Sequence, residues 1–166
     1  MPTLRIAKKS EALCAMEIID QAKAFLKAQG IDQWQTGYPD LARIKLDLEL
    51  KKGYFAMDGE RIVGYLCVDF DGEPAYEGLD GTWHTEAPYV VVHRMAMKQE
   101  GRGKGYASAA FAAVAELARS RGVTAFRVDT DEANQIMKHL LSKNGFAYCG
   151  TICFDNSEKI AFDKCL

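Results

Sequence analysis

Three glycines at alternate positions stand where an apolar, strand-like run meets an alanine-rich, helical run. Residues 99–107 read QEGRGKGYA. Glycine lets the backbone turn sharply and approach a ligand without a Cβ atom in the way. The first turn of a helix has unpaired N–H groups and a partial positive charge, to which Arg102 and Lys104 add full charges. The segment therefore predicts a strand-to-helix turn that binds an anion, most naturally a phosphate or pyrophosphate.

Two common phosphate-binding patterns do not fit this segment. The P-loop pattern GxxxxGK[ST] requires Ser or Thr after the lysine, where Gly105 stands. The dinucleotide pattern GxGxxG requires a glycine or alanine at Tyr106 or, one step later, at Ser108. The pattern that does fit is [Q/R]xxGx[G/A], over residues 102–107. A plain glycine-rich connection is the alternative, and the two interleaved cations argue against it.

Hydrophobic periodicity predicts an alternating order of strands and helices. Strands are expected at residues 4–6, 54–57, 61–70, 89–97, 125–130, 146–154 and 159–162, and helices at 10–30, 40–53, 104–121 and 134–143. Ser10 and Asp40 are the predicted caps of the first two helices. The order indicates a mixed α/β fold with helices on both faces of one sheet, in a single domain of residues 1–166.

Composition narrows the class of function. Lys and Arg number 21 against 23 for Asp and Glu, a balance that disfavours a general nucleic-acid or membrane-surface binder. No apolar run approaches the ~18–20 residues of a membrane span, and the first residues lack the apolar core of a signal peptide. The five cysteines form no CxxC pair. We therefore expect free, buried thiols in a reducing cytoplasm, with neither a disulfide framework nor a zinc site.

A second segment of the chain, after the glycine turn, also matches a known sequence pattern. Residues 134–146, NQIMKHLLSKNGF, are similar to the pattern N-x-x-A-x-x-x-Y-x-K-x-G-F. Together with the strand 90–97 and the turn, this segment resembles the GNAT-type N-acetyltransferases, clearly over about residues 89–146 and more weakly over 4–71. The resemblance implies a GNAT-like acyltransferase fold with a central, mixed, mostly antiparallel sheet. It also implies acetyl-CoA as cosubstrate, direct transfer to an amine, and no metal.

The same resemblance assigns acetyl-CoA to several residues. Backbone groups of Met95 and Met97 would pair with the pantetheine arm, and a backbone N–H near Ala96 or Met97 would stabilise the oxyanion. The pyrophosphate would bind to Arg102, Gly103, Lys104, Gly105, Tyr106 and Ala107, with the hydroxyl of Ser108 beside them. Asn134 would contact the pantetheine or pyrophosphate, and Lys143 the nucleotide phosphates. A plain helix cap is the alternative for Asn134, and a solvated charge for Lys143.

The chain departs from the family where catalytic groups are expected. Leu141 stands where many members have a tyrosine that protonates the leaving thiolate, and leucine cannot donate a proton. A thiol pKa near ~8.5 makes the CoA thiolate a tolerable leaving group, so a missing acid slows the reaction without preventing it. Val91 occupies the position of the family's glutamate base. His93, on the same strand face, and Glu77, in the irregular residues 71–88, are the candidate bases, with a satisfied core histidine and a solvated loop charge as alternatives.

Acceptor recognition is expected in the loops. Trp34 and Tyr38 follow the first helix, and Tyr76 and Trp83 lie within residues 71–88. These aromatic side chains are candidate walls for a small amine, with anchoring of the loops in the core as the alternative. The leading hypothesis is an N-acetyltransferase that acts on a small-molecule amine, without nucleic-acid or membrane partners and compatible with a homodimer. A second hypothesis is a non-catalytic acyl-CoA-binding or regulatory module, which the missing acid and base would suit. A third is a nucleotide-binding protein that uses the same glycine turn.

Overall fold

The computed structural model describes residues 2–154 and 156–166. The strands are β1 (Thr3–Ile6), β2 (Gly53–Asp58), β3 (Arg61–Asp69), β4 (Asp80–Gly81), β5 (Val90–Met97), β6 (Ala125–Thr130), β7 (Ala147–Phe154) and β8 (Ser157–Cys165). The α-helices are α1 (Ala12–Ala28), α2 (Leu41–Glu49), α3 (Tyr106–Ser120) and α4 (Gln135–Lys143). The strands follow the order β1-β2-β3-β5-β6-β8-β7-β4, with β5 and β6 parallel. The antiparallel pairs include β1–β2, β2–β3, β4–β7, β6–β8 and β7–β8. This confirms the expected mixed, mostly antiparallel sheet.

Side-chain caps begin two helices at the residues that the sequence indicates. The carboxylate of Asp40 accepts a hydrogen bond from the backbone N–H of Arg43 at 2.8 Å, at the start of α2. The side chain of Asn134 accepts from the N–H of Met137 at 3.0 Å, at the start of α4. Each acceptor satisfies an N–H that the helix itself leaves unpaired. The prediction for Ser10 was wrong, because this residue lies in a short 3-10 turn before α1.

The described chain divides into two compact units, each made of two stretches of sequence. The first unit contains the described residues up to Val68 together with His93–Val114. The second contains Asp69–Val92 and Ala115–Leu166. The single domain expected from the sequence stays a prediction.

The first unit has its core between α1, α2 and the strands β2, β3 and β5. Ile18, Ile19 and Ile44 are buried there at 0–1% exposure, beside the rings of Phe55 and Tyr65. Burying an aliphatic side chain of this size contributes about 1.5–3 kcal/mol, so the apolar stripes of α1 and α2 hold the helices in place.

The second unit has a separate core that contains Tyr76, Val91, Ile152 and Ala161. Strand β4, which the sequence did not indicate, pairs with β7 through Asp80–Thr151 and Gly81–Gly150. Two residues are too short for a period-two pattern, so this pairing was visible only in three dimensions.

The cysteines only partly match the expectation of buried thiols. All five are free; Cys67 and Cys149 are buried and Cys14 is half buried. Cys153 and Cys165 are exposed, so the expectation was wrong for them. Strand alternation turns Cys153 outward beside the buried Ile152, and Cys165 ends β8.

Among the described residues, no helix is both long enough and apolar enough to cross a bilayer.

Candidate functional site

The turn between β5 and α3 has the backbone conformation that its glycines indicate. Gly103 and Gly105 have φ values of 79° and 76°, in the left-handed region. A Cβ atom at either position would meet no heavy atom of the described residues within 4 Å. Gly101 differs, since a Cβ there would lie 2.8 Å from the ring of Tyr106. The turn is therefore packed on one side by Tyr106 and open where Gly103 and Gly105 lie.

The start of α3 presents backbone donors at this turn. The hydrogen-bond ladder of the helix begins with Ala109 N–H donating to the carbonyl of Gly105 at 3.1 Å. The N–H groups of residues 105–108 lie before the start of that ladder. The N–H of Lys104 donates to the carbonyl of Gly101 at 3.2 Å, within the turn itself. The hydroxyl of Tyr106 donates to Asp58 at 2.6 Å, and this bond raises the pKa of the tyrosine. The same bond ties the start of α3 to the end of β2.

The two cations of the turn are held differently. The guanidinium carbon of Arg102 lies 3.4 Å from the ring centroid of Phe25 on α1, and burial lowers the pKa of this arginine. A guanidinium stacked on a ring keeps its N–H edge available for a bidentate contact with phosphate. Lys104 is exposed. The turn thus has one cation oriented by an aromatic ring, Arg102, and one exposed cation, Lys104.

A cavity of about 250 Å³ adjoins the turn within the first unit. Its lining includes Lys104 and Tyr106 of the turn, together with Arg61, Lys98 and Glu100. Arg61 forms an ion pair with Asp58 at 3.1 Å, so the charge that favours an anion comes mainly from Lys98 and Lys104, against the carboxylate of Glu100. Sequence reasoning missed Arg61 and Lys98. The signal for them was their place at the start of β3 and directly after β5, two strand ends that neighbour the turn.

Strand β5 is distorted shortly before the turn. Arg94 has a φ of 51°, a left-handed conformation that costs a non-glycine residue about 1–2 kcal/mol. Its guanidinium donates to both oxygens of Asp47, at 2.8 and 2.7 Å, and to the hydroxyl of Tyr38 at 2.6 Å. Asp47 also accepts a hydrogen bond from Tyr65 at 2.9 Å. The side chains of Arg94 and Asp47 are each 1% exposed, so a buried ion pair maintains the distortion.

Met95, Ala96 and Met97, the residues expected beside the pantetheine, come directly after the distorted Arg94 in β5. The ladder between β5 and β6 comprises the pairs Val90–Phe126 and Val91–Arg127, at the beginning of β5. Residues 95–97 lie further along the strand, with Ala96 buried and its two methionine neighbours half buried.

The candidate catalytic residues lie in very different surroundings. His93 is 8% exposed, and burial, followed by the charges of three nearby cations, lowers its pKa to about 3. Such an imidazole is neutral near pH 7 but is a weak base. Glu77 is exposed, on the 3-10 turn Pro74–Gly78 of the second unit. Leu141 is fully buried in α4, so it contributes to packing.

The aromatic acceptor candidates are anchored in their loops. Trp34 packs against the core of the first unit, and Tyr38 accepts the hydrogen bond from Arg94. In the second unit, Tyr76 is 1% exposed and donates to Asp129 at 2.7 Å, while Trp83 donates to the carbonyl of Tyr76 at 3.1 Å. These contacts account for the rings as loop anchors, the alternative that the sequence left open.

Asn134 and Lys143 belong to the second unit, at opposite ends of α4. Asn134 is half buried and caps the helix, as described above. Lys143 is exposed in the last turn, where its charge favours the helix C-terminus. The glycine turn, in contrast, lies in the first unit.

The chain is similar in sequence and in fold to known acetyltransferases. A profile of the acetyltransferase (GNAT) family matches residues 18–146, well over half of the chain. A crystal structure of a GNAT-family acetyltransferase from Streptococcus agalactiae is 29% identical with a TM-score of 0.90, covering 99% of this chain and 95% of that chain. A GNAT-family acetyltransferase from Listeria monocytogenes is 18% identical with a TM-score of 0.78 and the same coverage.

An aminoglycoside acetyltransferase, AAC(6')-Ib in complex with coenzyme A and kanamycin, is 20% identical with a TM-score of 0.71, covering 99% of this chain and 95% of that chain. At this identity the likeness concerns the fold alone. No curated protein matches the chain at the sequence level.

Proposed function

This chain belongs to the acetyltransferase (GNAT) family, and from that premise we propose that it transfers the acetyl group of acetyl-CoA directly to a primary amine of a small molecule. The observation that carries this proposal is the turn after β5. Gly103 and Gly105 leave its outer side open, and Arg102 and Lys104 flank it. Backbone N–H groups at a helix start, with two cations beside them, suit a diphosphate.

The pyrophosphate of acetyl-CoA binds along this turn. Its oxygens accept hydrogen bonds from the backbone N–H groups of Gly103 and residues 105–107 and from the edge of Arg102, which the ring of Phe25 orients. The adjoining cavity, with Lys98 and Lys104 in its lining, extends the positive surface for a further phosphate of the nucleotide.

The acetyl end lies along β5. Backbone groups of Met95 and Met97 pair with the pantetheine arm as with another strand, and a backbone N–H at Ala96 or Met97 binds the carbonyl oxygen as it becomes negative. The amine nitrogen attacks the thioester carbon, the new C–N bond forms, and the C–S bond breaks. The amine proton passes to a base or to water. The thiolate leaves without an acid from α4, because Leu141 cannot supply one.

His93 and Glu77 are the candidate bases of this step, with water as the alternative. The substitutions His93→Gln and Glu77→Gln separate them by kcat/KM measured from pH 6 to 9. Loss of a general base lowers kcat/KM by about 10²–10⁴, whereas a structural residue has its effect on stability. Full activity of both variants would assign the proton to water.

The acceptor is a small amine. Its candidate contacts are Trp34 and Tyr38 in the first unit and Tyr76 and Trp83 in the second. The near-neutral charge of the chain, −2, supports a small molecule over a nucleic acid or a membrane surface. A reducing cytoplasm, consistent with five free cysteines, is part of the same proposal.

A coupled test decides among the three hypotheses: the acetyltransferase, the non-catalytic module and the nucleotide-binding protein. Release of CoA from acetyl-CoA is measured against a panel of amino acids, polyamines and aminoglycosides, and binding of acetyl-CoA and ATP is measured by calorimetry. We expect acetyl-CoA to bind more tightly than ATP and at least one amine to accelerate CoA release. Binding without turnover on any amine would favour the non-catalytic module. Tighter binding of ATP would contradict the proposal.

A further inference from the structure

His84, Cys149 and Asp163 bring three kinds of metal-binding donor together in the second unit. Nδ1 of His84 lies 2.8 Å from Oδ1 of Asp163 and 3.4 Å from Sγ of Cys149. Sγ lies 3.1 Å from the same carboxylate oxygen. We propose that this triangle binds a transition-metal dication, Zn²⁺ foremost, because imidazole nitrogen, thiolate sulfur and carboxylate oxygen together are typical of zinc sites.

The size of the triangle is close to that of one face of a zinc tetrahedron. Zn–S bonds of about 2.3 Å and Zn–N and Zn–O bonds of about 2.0–2.1 Å separate neighbouring donors by about 3.3–3.6 Å. The observed edges of 2.8, 3.1 and 3.4 Å therefore have to lengthen by at most about 0.5 Å. Small side-chain rotations suffice for that change.

The carboxylate is oriented by its other oxygen. Oδ2 of Asp163 accepts from the backbone N–H groups of His84 and Thr85, at 2.7 and 2.9 Å, and from the hydroxyl of Thr85 at 2.8 Å. These bonds leave Oδ1 directed at the imidazole and the thiol. Hydrogen bonds that orient a ligating group in this way are typical of metal sites.

A β-bulge directs the thiol of Cys149 into the triangle. Tyr148 pairs with Phe162 and Gly150 pairs with Ala161, so Cys149 is the extra residue in β7. Bulges re-aim a side chain, and they are frequent beside functional sites. The bulge gives the thiol an orientation that regular strand alternation would not.

Glycines allow β4 to lie directly against this bulge. Gly81 has a φ of 147°, and a Cβ there would come within 2.0 Å of the Cys149 carbonyl oxygen. Thr82 N–H donates to the same carbonyl at 3.0 Å. Shortly after this close approach, the backbone N–H groups of His84 and Thr85 contact the carboxylate of Asp163.

The arrangement differs from that of a catalytic Cys-His-Asp relay. In a relay, the two imidazole nitrogens face different partners. Here, Nδ1 of His84 faces both Asp163 and Cys149, as the corner of a ligand triangle does. The side chain of Asp163 is 1% exposed and that of His84 is 53% exposed, so water can occupy the fourth metal position on the histidine side.

The charges balance when the metal binds. The thiol proton is released to solvent, and the thiolate and the Asp163 carboxylate together offset the two positive charges of Zn²⁺. The guanidinium of Arg127 is nearby but donates to the carbonyl and hydroxyl of Thr85. A metal here joins the segment before β5 to β7 and β8, and its binding stabilises the folded chain.

The test uses Co²⁺ as a spectroscopic probe, because thiolate ligation produces a charge-transfer band that oxygen and nitrogen ligands do not. The full chain, reduced and freed of metal by chelation, is titrated with Co²⁺ and then with Zn²⁺. We expect the band to appear with one equivalent of Co²⁺ and to disappear when Zn²⁺ displaces it. The same Zn²⁺ is expected to raise Tm, and a chelator to reverse the rise.

Two variants and one control locate the site. His84→Ala replaces an exposed side chain and is expected to lose most of the Tm rise, while Cys149→Ser loses the charge-transfer band. Cys153→Ser, an exposed cysteine on the same strand, is expected to keep both. A missing band in the unmodified chain, or a band that persists in Cys149→Ser, would show that the triangle is only a hydrogen-bonded cluster. The inference does not rest on the proposed function, and none of its readouts is activity.

Discussion

Two parts of the first unit each combine an arginine with left-handed backbone, and they differ in how the strain and the charge are satisfied. At the turn after β5, glycines adopt the left-handed conformation at little cost, and Arg102 stacks on Phe25 at an open surface. In β5, Arg94 itself has a φ of 51° and is buried against Asp47. Asp47 therefore neutralises Arg94 inside the core, whereas Arg102, stacked on a ring at the surface, is the arginine that we propose to bind the diphosphate.

The largest effect is expected from the buried pair. Asp47→Asn removes the charge that compensates Arg94, and breaking a buried ion pair at one side costs about 3–5 kcal/mol of unfolding free energy. The measurement is urea denaturation. Glu116→Gln, at an exposed pair in which Glu116 is 76% exposed, is the control and should cost less than about 1 kcal/mol. Equal losses in the two variants would remove the distinction between scaffold and surface charges.

The open turn is expected to respond in ligand affinity. Gly105→Glu places a carboxylate where the diphosphate binds, and should weaken acetyl-CoA binding at least about 100-fold in calorimetry. Gly122→Glu is the matched control, since Gly122 has a φ of 72° and equally open surroundings at the other end of α3. Both variants carry similar backbone strain, so only the first should lose affinity. Unchanged affinity of Gly105→Glu would place the diphosphate elsewhere.

An intermediate effect is expected from His93, the neighbour of Arg94. Its pKa is about 3 in the folded chain, against ~6.5 when unfolded. Between these pH values the unfolded chain binds a proton that the folded chain does not. The free energy of unfolding is therefore highest above about pH 6.5 and decreases as the pH falls. The expected loss is about 2 kcal/mol from pH 7 to pH 5. His93→Gln should abolish this loss in denaturation curves, whereas His139→Gln, at an exposed position, should retain it.

The smallest effect is expected from the two cations of the turn. Arg102→Ala removes an oriented, bidentate donor and should weaken acetyl-CoA binding about tenfold, with Lys104→Ala costing less. Phe25→Leu keeps the charge of Arg102 but removes the ring beneath it, so it separates orientation from charge. The losses of affinity in Arg102→Ala and Lys104→Ala should both become smaller at high salt, because exposed charges are screened. An Arg102→Ala affinity equal to that of the unmodified chain would show that the stack on Phe25 is purely structural.

Local features were predictable because short-range rules determine them. Strand β6 (Ala125–Thr130) matches its predicted range, and Asp40 and Asn134 cap their helices as indicated. The sharp turn before α3 follows from its glycines, and Gly103 and Gly105 adopt the positive φ that glycine permits. These features depend on residues a few positions apart, and the sequence shows directly which residues those are.

The features that sequence reasoning missed join residues that are distant along the chain. Asp47 and Arg94 are 47 residues apart, and His84 and Asp163 are 79 apart. Nothing in the spacing of the cysteines indicates that Cys149 meets a histidine and a carboxylate, which is why the sequence predicted no zinc site. The burial of Tyr76 and the low pKa of His93 likewise depend on what surrounds them.

The sequence by itself determined the family, the order of the helices and of the strands other than β4, and the glycine turn with its two cations. It did so because each of these is a contiguous pattern in which backbone freedom, charge and periodicity act locally. Only the tertiary structure decided which arginine is buried, which histidine keeps an exposed face and which cysteine joins a ligand triangle. Burial and long-range contacts set those outcomes, and both arise only when separate segments pack together.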